Sequence, residues 1–501
     1  MKVRRFGAVV CLTAMLAGCG GGGGSSSTGN PSTGGGTGTT GGTGGGTGGS
    51  TGGGSTTTAG CSLRERQDWA AAQLREWYLF PETLPTALDP TPYTTVSDYV
   101  DALTATARSQ RRDRFFTYLT SIAEEDAYYS SGSSAGFGVR LAVDASARRL
   151  FITEAFEGTT ALGAGIDRGT EILAIGNDAN SLRDVSAITA AQGTAGLSDA
   201  LGPDTVGTTR TFRVSDAAGA TRVVTIAKTD YTLTPVSSRY GAKIIDDAGG
   251  RYGYVNLRTF ISTADPALRE AFARFRAAGV TNIVVDLRYN GGGLVSIAEL
   301  FGDLLGANRS TSDVFSYTTF RPEKSSENET RFFSPQPQSV APTRVAFIGT
   351  GGTASASELV INAFTPYLHA NAGLIGSNTY GKPVGQIALD KAACDDRLRV
   401  IAFATENAAH NGKYFDGLAT TVEASCQAGD DIGYPLGDAR EASTRAALNF
   451  LQGKSCTRIP IGAVSTAAAR TLGLEPVLLD RRQLLSPERP DTVQREVPGA
   501  Y

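Results

Sequence analysis

Twice in this chain of 501 residues a short apolar run ends in a glycine-rich turn and passes into a helical pattern. Asn282-Ile283-Val284-Val285-Asp286-Leu287-Arg288 leads into Asn290-Gly291-Gly292-Gly293 and a helix through Leu305. Arg344 to Ile348 leads into Gly349-Thr350-Gly351-Gly352 and a helical run from about Ser355 to Leu368. Upstream, Tyr254 to Leu257 reads as a strand, and Asp265 to Ala278 as a helix with Leu268, Phe272 and Phe275 on one face. Alternating strands and helices imply a parallel sheet covered by helices. Both loops can present backbone N–H groups at a helix start, where partial positive charge gathers. Neither has the Gly-Lys-Ser/Thr ending of a phosphate loop, nor the dinucleotide G-x-G-x-x-G with its acidic partner. No nucleotide is therefore expected. The remaining use for such donors is an oxyanion hole.

Charge and histidine content narrow the chemistry. The 46 basic side chains against 49 acidic ones give a net charge of −3, leaving no excess for neutralising phosphates, so no nucleic-acid partner is expected. Only His369 and His410 occur, which rules out an H-E-x-x-H site; neither a metal nor a cofactor is expected. His369 follows the second helix and His410 falls in a turn, so both read as structural or exposed rather than as a catalytic base.

The first sixty residues concern address rather than fold. Lys2, Arg4 and Arg5 precede a short apolar stretch, Gly7 to Leu16, too short to cross a membrane. It ends in Leu16-Ala17-Gly18-Cys19, which resembles the bacterial lipobox, in which the cysteine is lipidated and becomes the mature N-terminus. Residues 20–60 hold 21 of the 62 glycines and no charge, the composition of a flexible tether. The resemblance implies residues 1–19 as signal and Cys19 as lipidation site. It also implies a place in the bacterial cell envelope facing the periplasm, with Gly20 favouring the outer membrane. Cys61, Cys394, Cys426 and Cys456 remain as an even set that permits three disulfide pairings, none of them chosen by the sequence.

Residues 61–129 carry a helical pattern through Trp69, Leu74, Trp77, Tyr78, Val100, Leu103, Phe115, Phe116 and Leu119, broken by Pro81, Pro85, Pro90 and Pro92. From about residue 130 short alternating segments take over, with strands at Gly136 to Leu141, Arg149 to Glu154, Gly169 to Asn177, Thr209 to Val214 and Arg222 to Lys228. This order, over residues 130–232, resembles a PDZ domain. The resemblance makes Gly136-Phe137-Gly138-Val139 a loop whose N–H groups hold a peptide carboxylate, the peptide adding a strand to an open edge. Where that family shows Gly-Asp, this chain has Gly169-Thr170.

The chemistry gathers at Thr353-Ala354-Ser355-Ala356-Ser357-Glu358 and at Gly376 to Gln386, which contains Lys382. A lysine among glycines and apolar residues loses solvation, which favours its neutral form, and a neutral amine can take a serine proton. The string T-A-S-A-S-E, a lysine 25 residues after its second serine, a glutamine four further on, and D-L-R-Y-N-G-G-G-L-V together resemble the C-terminal processing (tail-specific) peptidases of family S41. The resemblance implies Ser357 as nucleophile, Lys382 as base and Gln386 as orienter, with backbone N–H groups of Glu358 and Gly292 as oxyanion donors and Ser355 as a turn residue. It implies an α/β peptidase core of Clp/crotonase-like strand–loop–helix units over residues 233–456, carrying an inserted PDZ-like domain and an N-terminal helical unit. Residues 457–501 form an extension whose only feature is the apolar stretch Leu474 to Leu479. The implied partners are protein or peptide substrates with accessible C-termini. The alternative function is a non-catalytic PDZ adaptor on a peptidase-like scaffold. Pro383 and Asp416-Gly417-Leu418-Ala419-Thr420 depart from the family's usual pattern.

Overall fold

The computed structural model describes residues 58–460 and 482–501. The signal, Cys19, nearly all of the tether and Leu474–Leu479 lie outside these residues.

Six strands form the central sheet, in the order Lys243–Asp247, Gly250–Asn256, Asn282–Asp286, Arg344–Gly349, Ala372–Gly376 and Ala424–Gln427. The first pair is antiparallel and the remaining pairings are parallel, with Asp286 opposite Ile348 and Ile348 opposite Ile375. Ile283, Val284, Val285, Val345, Phe347, Ile348 and Leu374 are fully buried, as strands covered on both faces require. Helices Ala264–Ala277, Val295–Leu305 and Ala356–Leu368 contribute Phe272, Phe301 and Val360 to one core, while Ala442–Leu451 packs Ala447 and Leu448 against the other face. Neighbouring parallel strands send their loops off the same edge of a sheet. Three adjacent strands therefore deliver the Asn290–Gly293 loop, the Gly349–Ser355 loop and the Lys382 segment to one place.

A second sheet is built on the long strand Asp396–Glu406, which pairs with Val384–Lys391, Val314–Phe320 and Tyr118–Ser121. Here the helical expectation for residues 115–119 fails. Phe115 has φ +61° and Tyr118–Ser121 is a strand, because pairing with Asp396–Arg399 outweighs a local periodicity built from scattered aromatics. The helices Leu63–Trp77 and Val96–Leu103 pack on this sheet through Leu74, Tyr78, Val100 and Leu398.

A third, seven-stranded antiparallel sheet holds Val139–Asp144, Arg149–Ala155, Glu171–Gly176, Thr209–Ser215 and Thr221–Ala227, closed by helices Val185–Gln192 and Ala195–Leu201. The edge beside Val139–Asp144 is taken by Gln483–Leu484 and by residues 499–501, so the extension is folded against this sheet rather than apart from it. Disulfides join Cys61 to Cys394 and Cys426 to Cys456.

Among the described residues no helix is long and apolar enough to cross a membrane. Among them, too, no group of three His, Cys, Asp or Glu side chains could hold a metal ion.

Candidate active site

The D-L-R segment explains how the first loop is held. Arg288 is fully buried and donates to Asp286, Asp430 and Glu441 at 2.9–3.1 Å. Asp430 is held well below the ordinary carboxylate range: burial alone would raise it, and Arg168 and Arg288 more than reverse that. Charges buried this deeply are tolerated only when paired, so the network fixes the strand end from which the loop departs. Asn290 then ties the loop internally, its Nδ2 donating to the Leu257 carbonyl at 2.9 Å and its Oδ1 accepting from Gly292 N–H at 2.9 Å. Gly292 and Gly293 have φ of +125° and +133°. A Cβ on Gly292 would stand 2.8 Å from the Ser355 Cβ, so glycine here allows the two loops to touch.

The two serines have different surroundings. Ser357 is fully buried, and its hydroxyl donates to the Asn290 carbonyl at 3.0 Å, an acceptor that also receives Ala354 N–H. It clamps the second loop to the first. Ser355 is half-buried, sits at the start of helix Ala356–Leu368, and has φ +54°, the left-handed region that a non-glycine residue occupies only under constraint.

That constraint comes from the Glu358 side chain, which the sequence reading passed over in favour of its backbone N–H. The carboxylate is buried. It accepts from Ser355 N–H at 3.1 Å, Lys382 N–H at 2.7 Å, Gly381 N–H at 2.7 Å and Thr379 Oγ1 at 2.6 Å. Ser355 and Lys382 share one oxygen, Oε2, so a single side chain sets the serine turn against the lysine segment. Arg114 fastens the same segment from outside, donating to the carbonyls of Tyr380 and Gly381. The Glu358 carboxyl titrates above its ordinary value because of burial, against which the four donors pull.

Lys382 Nζ donates to Gln386 Oε1 at 2.8 Å and lies 5.2 Å from the centre of the Phe116 ring, while Gln386 Nε2 donates to the Phe116 carbonyl. Burial lowers the lysine's affinity for its proton, and the Glu496 carboxylate acts in the opposite direction. The structure thus brings Lys382 and Gln386 together and sets the lysine segment against Ser355, while the Ser357 hydroxyl is given to Asn290. Of the two expected backbone donors, Glu358 and Gly292, the Gly292 N–H is engaged by Asn290; the neighbouring Gly291 N–H, which was not among them, donates to the Glu496 carbonyl at 2.9 Å. Gly291, Ala354, Tyr380, Lys382, Arg495 and Glu496 all line one cavity of about 760 Å³. His369 and His410 are exposed, paired with Glu423 and Glu406.

In the third sheet, Gly138 and Val139 N–H groups converge on the carbonyl oxygen of Tyr501 at 3.0 and 3.2 Å. Gly136 and Phe137 flank that contact, and Phe137 is buried in the core beneath it. The packing of residues 482–501 left no trace that the sequence reading could use. It has no periodic apolar pattern, and its anchors are backbone hydrogen bonds.

Comparison with known proteins adds an independent line. Over 258 residues the chain is 26% identical to a carboxyl-terminal-processing protease of Picosynechococcus, covering 50% of this chain and 55% of that protein. Over 229 residues it is 31% identical to a chloroplastic carboxyl-terminal-processing peptidase of Arabidopsis thaliana, covering 44% of this chain and 41% of the relative. The chain spans about half the length of the curated relatives it matches. A solved Bacteroides fragilis structure assigned to the S41 proteases superposes with TM-score 0.59 at 22% identity, over 77% of this chain and 97% of that one, and shares its fold. The family model for peptidase family S41 matches residues 251–410 of this chain.

Proposed function

We propose that the protein is a serine endopeptidase with a Ser–Lys mechanism, in which Ser355 rather than Ser357 is the nucleophile, Lys382 the base and Gln386 its orienter. The observation that supports this most is the Glu358 carboxylate, which joins the strained Ser355 turn to the Lys382 segment. A nucleophile has to reach substrate and keep its hydroxyl available; the clamped, fully buried Ser357 meets neither condition.

In the reaction, neutral Lys382 takes the Ser355 hydroxyl proton as Oγ attacks the peptide carbonyl. The resulting ammonium returns the proton to the leaving amine, and water releases the acyl group by the same route. The oxyanion donors are the N–H groups of Gly291, which already faces a carbonyl oxygen, and of Ala356, at the helix start where Gly292 packs. The 130–232 unit serves as the PDZ-like selector of substrate C-termini, its Gly136–Val139 loop receiving the carboxylate.

Cleavage of a casein-type unfolded substrate tests the assignment. Wild type cleaves and Ser355→Ala falls by about 10⁴-fold or more; full activity in Ser355→Ala sinks it. Attachment to the cell envelope through lipidated Cys19 belongs to the same proposal. Cys19→Ser is expected to move the protein from the membrane to the soluble fraction, and unchanged membrane fractionation would remove the anchor from it.

A further inference from the structure

Residues 482–501 run along the sheet edge, through the cleft and back to the edge. Gln483 and Leu484 pair antiparallel with Val143 and Ala142, and Leu485 N–H continues the ladder to the Leu141 carbonyl. The chain then leaves the sheet and forms a short helix, Thr492–Glu496, capped by Asp491. Glu496 ends this turn inside the cleft. Its carbonyl accepts from Gly291 N–H, and its carboxylate is buried with one oxygen on Tyr129 at 3.0 Å and the other, Oε2, without a partner. A Cβ on Gly291 would meet the Arg495 carbonyl at 2.1 Å, so the segment lies directly on the first glycine loop.

Beyond Pro498, whose carbonyl accepts from Arg140 at 2.8 Å, the chain rejoins the sheet edge. Leu141 N–H donates to Gly499, Tyr501 N–H donates to Val139, and Gly138 and Val139 donate to Tyr501. The Tyr501 ring is buried among Phe137, Ile188, Leu197 and Leu201, with its hydroxyl 2.8 Å from Ser198 Oγ. The same Arg140 Nη1 that holds Pro498 also donates to the Tyr289 carbonyl at 2.8 Å, one residue before the Asn290–Gly293 loop, while Nη2 of that guanidinium is buried without a partner.

We infer that residues 494–501 are a resident peptide ligand of this protein, filling both the sheet-edge groove and the oxyanion position, and that the groove beneath Tyr501 is a specificity pocket for an aromatic hydroxyl side chain read by Ser198. This rests on the peptidase reading for the cleft but not for the groove. A substrate ending in such a residue must displace the segment, and displacement withdraws Glu496 from Gly291 and Lys382 in the same movement. A tethered competitor acts at an effective concentration on the order of millimolar. An external peptide of micromolar intrinsic affinity is then suppressed by about 10²- to 10³-fold.

The test uses the full chain and a fluorescein-labelled peptide ending Pro-Gly-Ala-Tyr with a free carboxylate, followed by anisotropy, beside casein cleavage. Tyr501→Ala is expected to tighten peptide binding at least tenfold and to raise casein turnover. Tyr501→Phe keeps the ring and gives a smaller change in the same direction. Adding Ser198→Ala to Tyr501→Ala should abolish the preference for the Tyr-ended peptide over its Phe-ended counterpart. Unchanged peptide affinity and unchanged turnover in both Tyr501 variants, with casein still cleaved by wild type, overturn the resident-ligand inference and leave the peptidase reading standing. Tightened peptide binding with no casein cleavage in any variant supports the groove and sinks the peptidase reading. Equal affinity for Tyr- and Phe-ended peptides in the Tyr501→Ala background overturns the role of Ser198.

Discussion

The two glycine loops begin alike and end with different tasks. Each leaves the carboxyl end of a parallel strand, and those strands are neighbours in register. The Asn290–Gly293 loop keeps its side chains out of the way: Gly292 and Gly293 have backbone angles and clearances that only glycine tolerates, and what it offers is N–H groups. The Gly349–Ser355 loop ends instead on a non-glycine residue at positive φ, and what it offers is a side chain. In the proposed mechanism one loop receives charge and the other supplies it. The strained residue is held by a buried carboxylate with four donors, whereas the glycine loop is tied internally by its own asparagine. Strain concentrates where a reactive side chain has to be aimed.

The comparison breaks most severely at Lys382, which serves the second loop alone. Lys382→Arg keeps the positive charge but cannot give up its proton, and turnover should fall by about 10³-fold or more while peptide binding persists. Casein kinetics beside peptide anisotropy separate the two effects. For wild type, burial lowers the lysine's proton affinity, so kcat/KM should rise with pH at a midpoint below the ordinary value of about 10.4. The folded chain sheds this proton more readily than the unfolded chain. The group's contribution to stability therefore rises with pH between the two values.

Gly292→Ala attacks the first loop. The added methyl meets Ser355 and demands a disfavoured φ, so kcat should drop about 10²-fold, the scale of losing an oxyanion donor, with a visible loss of thermal stability. Ser357→Ala is the mildest. It removes the clamp to Asn290 and should cost about 1 kcal/mol of stability by denaturant titration while casein turnover stays within about twofold. A dead Ser357→Ala with an active Ser355→Ala would reverse the roles given to the two serines.

How much of this was legible follows from the kind of signal each feature leaves. The strand–glycine–helix order, Lys382 and Gln386 stand out because they form short, local patterns; the structure sends both loops off neighbouring central strands and bonds Lys382 to Gln386 on the second sheet. The choice between Ser355 and Ser357 was not legible. Spacing to the lysine favours the second serine, whereas its burial and its bond to a carbonyl 67 residues away support the proposed assignment to the first. The Glu358 side chain escaped notice for the same reason, since its donors lie 3 to 24 residues away and three of the four are backbone N–H groups. Residues 115–119 misled because aromatic residues suit helix and strand alike, and only the partner strand distinguishes them. Backbone pairing of residues 499–501 depends hardly at all on side-chain identity and so has almost no sequence signature.

The bond between Cys61 and Cys394 closes a span of 333 residues, and Cys394 lies just past the strand that carries Gln386. During synthesis this has a meaning in time. Cys61 has no correct partner until most of the chain has been made, while Cys426 and Cys456, 30 residues apart, can pair almost at once. Its correct partner Cys394 is soon joined by Cys426, which can compete for the same thiol. The order of emergence therefore makes the long bond the step most in need of a thiol–disulfide exchange catalyst, and ties anchoring of the strand bearing Gln386 to the late part of translation.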